Sequence, residues 1–331
     1  MLFANVRFTS ALAACALAAV VSCTGLSGPA AAAEFASNVT RIVVPFQAGG
    51  GTDIISRTLA QEMSKALNGT VIVENKPGAG TIIGTEYVAH AEPDGHTLVM
   101  ATFAHAVNPS LRAKLPFDTD KDFAPVSLIA RSFNVVVVNP KSGINSIADL
   151  IAAAKAKPGA INYGTFGPGT SAHLAGELFS SLAGVKLTAV HYKGAAPAIT
   201  DLLGGTIQVM FTTVASATSL IQAGELKALA VTSAARTPAF PNVPTVAEAG
   251  VPGYAAESWY GLFAPAKTPA AAITLLNQAA DKAIHTPAFD KLVENEGLVM
   301  VGGAPDNLGK YVQGEEARWR QLVHDVGIKI E

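Results

Sequence analysis

The chain has 331 residues, half of them hydrophobic and only 15% charged, with a net charge of −2. That length gives one large domain or two ordinary ones, and so apolar a chain is expected to fold around a packed core rather than stay disordered. It contains no long Lys/Arg block, which excludes the electrostatic footprint of a nucleic-acid binder.

The first segment reads as a leader. "MLFANVRFTS" carries one Arg and no acid, and "ALAACALAAVVS" follows as twelve apolar or small residues, too short to span a bilayer. "GPAAAAEFAS" then supplies small-residue cleavage sites, so residues 1–33 are expected to be a signal peptide with the mature chain starting at Glu34. The rival reading is a lipoprotein cut at Val20-Val21-Ser22-Cys23, with Cys23 lipidated. Both cysteines, Cys15 and Cys23, lie in this segment, so a chain cut after Ala33 has no disulfide, no Cys nucleophile and no Cys metal ligand.

From Arg41 onward short apolar runs alternate with amphipathic stretches. Arg41–Phe46 reads as a strand, and Asp53–Asn68 as a helix with Ile55, Leu59, Met63 and Leu67 on one stripe and Gly69 as its stop. Thr70–Val73 is a strand, Thr81–His90 a helix, and "PDG" at Pro93–Gly95 a turn before the strand Thr97–Thr102. This β-α-β-α-β order predicts a parallel sheet covered by helices. The strand Phe133–Asn139, a helix capped by Ser146 and ending near Ala156, the strand Ile161–Gly164 and the helix His173–Leu182 repeat the scheme. Leu187–Tyr192, Ala198–Leu203, Ile207–Phe211, Ser216–Ala223 and Leu226–Thr232 continue it. A Pro-rich irregular connection leads to the strand Trp259–Ala264 and a helical tail over Pro269–Ile284, Pro287–Asn295 and Asn307–Val326. Two α/β units suggest two lobes, with the Gly-rich loops at the carboxyl ends of strands converging on a cleft between them.

The loops carry no recognisable chemistry. "AGGGTD" lacks the Lys of a phosphate loop and ends in an acid, and "GAGTIIG" places its third glycine, Gly84, one residue late for a dinucleotide fingerprint. The seven histidines form no metal-ligand spacing, and no Gly-x-Ser-x-Gly elbow occurs. Metal and cofactors are therefore not expected. What remains is binding. A helix N-terminus offers unpaired N–H groups and about half a positive charge. Two strand-Gly-helix junctions, Ala48–Asp53 and Phe166–Ser171, suit a carboxylate without needing an Arg.

Eight blocks occur in order: "RIVVPFQAGGGTD", "VIVENKPGAG", "AEPDGHTLVM", "YGTFGPGTSAHLAGELF", "HYKGAAPAITDLLGG", "GELKALAVTSAART", "VPTVAEAG" and "WYGLFAPAKTP". Together they resemble the substrate-binding proteins of tripartite tricarboxylate transporters, the Bug type, over nearly the whole chain after Arg41. The resemblance implies a two-lobed, type II periplasmic binding protein fold, each lobe a mixed α/β sheet flanked by helices, with the ligand cleft between. Lobe one would be 34–132 plus 258–331 and lobe two 133–257, with strands crossing near Ile129–Asn134 and Glu257–Tyr260. It implies a non-enzymatic, monomeric periplasmic protein that delivers a small di-, tri- or aromatic carboxylate to two membrane subunits. The alternatives are a sensor presenting the same ligand to a membrane receptor, and a secreted hydrolase using Ser171 and His173.

Carried over by position, the first binding loop is Phe46, Gln47, Ala48, Gly49, Gly50, Gly51, Thr52 and Asp53. The second is Thr165, Phe166, Gly167, Pro168, Gly169, Thr170 and Ser171, with His173 behind it. Gly80 and Thr81, Thr102, and Tyr192 and Lys193 would flank the cleft. Asp53 has two readings, a cap for its own helix or a contact to a water or ligand donor. Family members often carry Asp after the "Met-Phe" at Met210–Phe211, where this chain has Thr212 and Thr213. That departure makes amino-acid ligands less favoured. Phe103 and His105, read as a loop after Thr102, either suit an aromatic acid or pack the loop.

Overall fold

The computed structural model describes residues 38–237 and 239–326, so the expected leader at 1–33 lies outside the described residues. Ten strands and ten α-helices alternate along it. The first half opens with β1 (Val39–Val44), α1 (Gly51–Leu67), β2 (Thr70–Asn75), α2 (Ile82–Ala89), β3 (Thr97–Thr102) and α3 (Phe103–Leu111). The long strand β4 (Phe123–Val138) follows, then α4 (Ile147–Ala156), β5 (Asn162–Thr165), α5 (Ser171–Ala183), β6 (Thr188–His191), α6 (Ala195–Gly204), β7 (Val209–Thr213), α7 (Val214–Gln222) and β8 (Lys227–Val231). The chain returns through β9 (Glu257–Pro265), α8 (Ala270–Ile284), α9 (Pro287–Glu296), β10 (Val299–Met300) and α10 (Pro305–Val326).

The local signals act as their chemistry dictates. Ile55, Leu59, Met63 and Leu67 form the buried stripe of α1, which ends where Asn68 turns left-handed at φ 51°. Ser146 caps α4 by accepting the Asp149 N–H at 3.0 Å.

Strand order across the sheet is β2-β1-β3-β9-β4-β7-β5-β6, with β8 and β10 also paired to β4. β1 is parallel to β2 and β3, and β5 is parallel to β6 and β7. β4 and β9 run antiparallel to their neighbours and join the two halves. The sheet is therefore mixed. β4 begins ten residues before the strand expected at Phe133. Its early part escapes an alternation test because the ladder to β9 slips at Pro125/Ser127 and Leu128/Ala130, and Pro125 has no N–H to pair.

The change of partner falls at one point. β4 pairs with β9 as far as Phe133, and with β7 and β8 beyond it. Thr232, fully buried, knots this junction: its Oγ1 accepts the Asn134 N–H at 2.8 Å and lies 2.9 Å from the Asn134 carbonyl and 2.7 Å from that of Ala256. The C-terminal helix α10 packs Trp319, fully buried, edge-on to Phe103 at 4.5 Å, within a cluster that also holds Tyr163 and Phe211. No described helix is long and apolar enough to cross a membrane.

Thr232→Val keeps the shape of the side chain and leaves the Asn134 N–H buried without its acceptor. It is expected to cost about 1–3 kcal/mol, read as a lower denaturant midpoint at unchanged slope; an unaltered midpoint would show that the knot carries no stability.

Candidate ligand-binding cleft

Because parallel strands leave each β–α junction at the same end, the helices that follow β1, β3, β5, β6 and β7 all start at one place. A small cavity lies there. It is lined at α1 by Gly50, Gly51 and Thr52, at α3 by Thr102, at α5 by Thr170 and Ser171, at α6 by Ala195, and at α7 by Thr213 and Ser216. Each is an N-cap residue or lies in the first turn of its helix. None of these five N-termini is capped by the side chain of its own N-cap residue. Phe46, Phe166, Ser258 and Tyr260 complete the wall, which contains no Lys, Arg or His. Uncapped N–H groups and five positive dipole ends therefore supply the attraction for an anion, with hydroxyls beside them.

The β1–α1 loop is held from behind. Asp53 is buried, and its Oδ2 accepts the Gly49 N–H at 3.0 Å and Arg57 Nε at 2.9 Å. Its Oδ1 accepts Asn75 Nδ2 at 2.9 Å, and Asn75 also donates to the Phe46 carbonyl at 3.1 Å. Burial opposes ionisation of Asp53, but the hydrogen bonds from Arg57, Gly49 and Asn75 outweigh it and hold the carboxyl below its ordinary value. Of the two readings, the structure supports the one in which Asp53 serves its own loop and helix. Gln47 is half-buried, Ala48 and Gly49 are exposed, and none of the three lines the cavity.

The β5–α5 loop has its own frame. The Thr165 hydroxyl accepts the Gly167 N–H at 3.1 Å and lies 2.7 Å from His191 Nδ1, and Thr170 Oγ1 donates to the Gly167 carbonyl at 2.7 Å. His173 Nδ1 accepts the Gly169 N–H at 3.3 Å, which requires a neutral ring protonated on Nε2. Burial, helped by the charge of nearby His191, lowers His173 to about 4. Its ring lies 5.0 Å from that of His191; neither lines this cavity, and His191 lines the adjoining space.

A second, roomier space of about 160 Å³ adjoins the first across Phe166. Gly80, Thr81, Gly167, Pro168, Tyr192 and Lys193 line it. Asn108 fixes this loop by donating to the Gly80 carbonyl at 3.2 Å. Gly80 has φ +64°, and a Cβ there would stand 2.2 Å from the Pro168 carbonyl, so only glycine fits.

Two expectations shift. Thr212 is fully buried on the far face of β7, opposite Val135, and Thr213 faces the cavity instead; strand alternation sends neighbours to opposite sides. Phe103 and His105 lie on a helix, not a loop. Phe103 packs on Trp319, and the buried His105 ring stacks on Phe263 at 4.9 Å, away from the cavity. Ala195, Thr213, Ser216, Ser258 and Tyr260 were not anticipated. The quoted blocks hold two of them: Gly194 opens α6 before Ala195, and Tyr260 lies in the expected strand, which in the structure starts two residues earlier, at Glu257, and so includes Ser258.

The halves touch across this cavity. Gln47 N–H donates to the Lys193 carbonyl at 3.1 Å, and Gly51 N–H to Ser216 Oγ at 2.9 Å. The volume left open to the centre of a water molecule is about 20 Å³, room for one or two waters.

Residues 55–328 match the family described as tripartite tricarboxylate transporter family receptor. The chain belongs to that family. The periplasmic binding protein BugD superposes with a TM-score of 0.86 at 32% identity, covering 88% of this chain and 99% of its own. The R. palustris protein Rpa4515, solved with adipate, gives 0.84 at 35% identity, covering 88% and 97%. MatC from Rhodopseudomonas palustris, solved with malate, gives 0.83 at 31% identity, covering 86% and 98%. The fold is thus the two-lobed, type II arrangement of periplasmic binding proteins, with the described cavity in the cleft. Family members are periplasmic solute-binding proteins, and these neighbours are binding proteins rather than enzymes.

Two outcomes check the frame behind the loops. Asp53→Ala releases Gly49, Arg57 and Asn75 together and is expected to weaken ligand binding at least tenfold, about 1.4 kcal/mol, in a titration; unchanged affinity would show the loop holds itself. His173 is neutral when folded but ordinary when unfolded, so its contribution is complete above about pH 6.5 and is lost as pH falls toward about 4. His173→Gln should therefore flatten the fall of unfolding free energy in that window by up to about 1.4 kcal/mol per pH unit, whereas an unchanged slope would show that His173 takes up its proton in the folded state too.

Proposed function

We propose that this chain is a periplasmic solute-binding protein that captures a small carboxylate and delivers it to the two membrane subunits of a tripartite tricarboxylate transporter. The observation that carries the reading is the meeting of five helix N-termini, none capped by its own N-cap side chain, at a cavity whose wall holds no side-chain cation, with Lys193 only in the adjoining space. Charge-assisted bonds from backbone N–H groups are about twice as strong as neutral ones and need no buried Lys or Arg, whose desolvation would be costly. The relatives solved with adipate and malate support a dicarboxylate, with tricarboxylates and aromatic acids as further members of the class.

Binding requires motion. A dicarboxylate is too large for the space left between touching halves, so it enters with them apart and replaces the contacts at Lys193 and Ser216. The lobes in this reading are 34–132 with 258–331, and 133–257. β4 and β9 form the hinge, and α10 lies across both lobes. A hydrolase finds less support: the Nδ1 of His173 is occupied by the Gly169 N–H, and the ring is held neutral behind the loop. The protein is read as a monomer exported by its leader, with lipidation of Cys23 as the alternative anchor.

Neighbouring glycines give the test. A Cβ on Gly51 would lie 2.8 Å from both Ala215 Cβ and Thr213 Oγ1 across the cleft, whereas one on Gly50 would meet Ala195 at an ordinary 3.5 Å. Gly51→Ala should keep the fold but prop the cleft, lowering calorimetric affinity for malate, adipate or whichever carboxylate of a broad panel binds by tenfold or more, about 1.4 kcal/mol. Gly50→Ala should bind nearly as the parent does. Equal binding by all three would separate closure from capture, and a panel in which no carboxylate binds the parent would reject the reading.

A further inference from the structure

The tight front of the hinge has a loose back. Along β9, Ser258 and Tyr260 point into the cleft, while Glu257 and its cross-strand partner Phe133 point to the other face, with Arg131 beside Phe133. On that face lies a cavity of about 550 Å³, against about 20 Å³ in the cleft by the same measure. One wall is Val293 and Leu298, from α9 and the turn into β10, which pairs with Ala130–Arg131 of β4. The opposite wall is Ala234 and Ala235, which follow β8 and so move with the other half. Phe133 forms part of the lining at the very residue where β4 changes partners.

Two cavities on opposite faces of one strand pair behave as the two sides of a lever. Parting the halves at the cleft brings Ala234 and Ala235 toward Val293 and Leu298 and shrinks the space between them. A molecule seated there would resist that motion. We propose that this hinge-side cavity is a second binding site, for a small neutral aromatic molecule, and that filling it holds the lobes closed. Its apolar lining is Phe133, Ala234, Ala235, Ala239, Val293, Leu298 and Val299, with the hydroxyl residues Ser132, Ser233 and Thr237 among them. The charged groups around it are two arginines, Arg131 and Arg236, and two glutamates, Glu257 and Glu294, so they balance and select no ion. Arg236 is in any case engaged by Glu248 at 2.9 Å. The inference rests on the hinge reading above but not on the identity of the cleft ligand.

The test uses indole as the probe and spin labels as the ruler. The described residues contain no cysteine, so Gln61→Cys on α1 and Thr200→Cys on α6, both exposed and on opposite halves, give one inter-label distance. Indole should shift the ligand-free protein toward shorter distances. Val293→Trp and, independently, Ala235→Trp should make the same shift without indole, abolish any further response to it, and tighten binding of whichever carboxylate the cleft accepts. The proposal is overturned if indole leaves the distances of the parent unchanged, or moves parent and filled variants alike, or if a folded filled variant keeps the parent's distances. No carboxylate is needed for the distance measurement. If malate and adipate move nothing while indole and the tryptophans do, the cleft reading fails and the hinge-side site stands.

Discussion

Holding an anion without a cation is the constraint on which the rest of this structure depends. One helix N-terminus carries only about half a charge, and its effect fades within a turn. Several must therefore meet, and they must meet where water is largely shut out, because a low local dielectric is what makes such dipoles strong. Parallel strands meet the first condition by releasing every helix at the same end of the sheet. Two half-sheets meet the second by turning those ends toward each other.

The remaining features keep the N–H groups in place. Asp53 and Asn75 fix one loop and Thr165 and His173 the other from outside the cavity, while Thr170, in the cavity wall, ties the second loop through the Gly167 carbonyl. The only charged side chain in these frames that touches a loop N–H is an acid aimed away from the ligand space. A cation in the wall would attract an anion more strongly at long range, but it would also hold one conformation of the cleft by pairing with other acids. Backbone N–H groups make only modest bonds across the closed cleft, such as Gly51 to Ser216, and these can be exchanged for a carboxylate at little cost.

Much of this was legible in the chain. The stripe of α1, the Ser146 cap and the glycine loops are local signals, set by periodicity and turn chemistry over a few residues. The misses are non-local. The first ten residues of β4 have partners in β9, more than a hundred residues later, and two register slips hide their alternation. α3 begins directly at the end of β3, is buried on nearly every side and holds Pro109, so neither a polar face nor a break-free run announces it. Thr212 and Thr213 differ only in the phase of a strand, and a slip of one residue exchanges the faces. Ser258 and Tyr260 reach the cavity only because β9 crosses between the halves.

The most direct measurement is of the backbone itself. Amide resonances of isotopically labelled protein, followed as a bound dicarboxylate such as malate or adipate is added, report which N–H groups the anion meets. The account predicts large downfield proton shifts at the N-terminal amides of the cleft helices, among them Gly51, Ser171 and Ala195, with the side chains of Lys193 and Arg57 little changed. Shifts confined to those cationic side chains, with the helix amides unmoved, would contradict it.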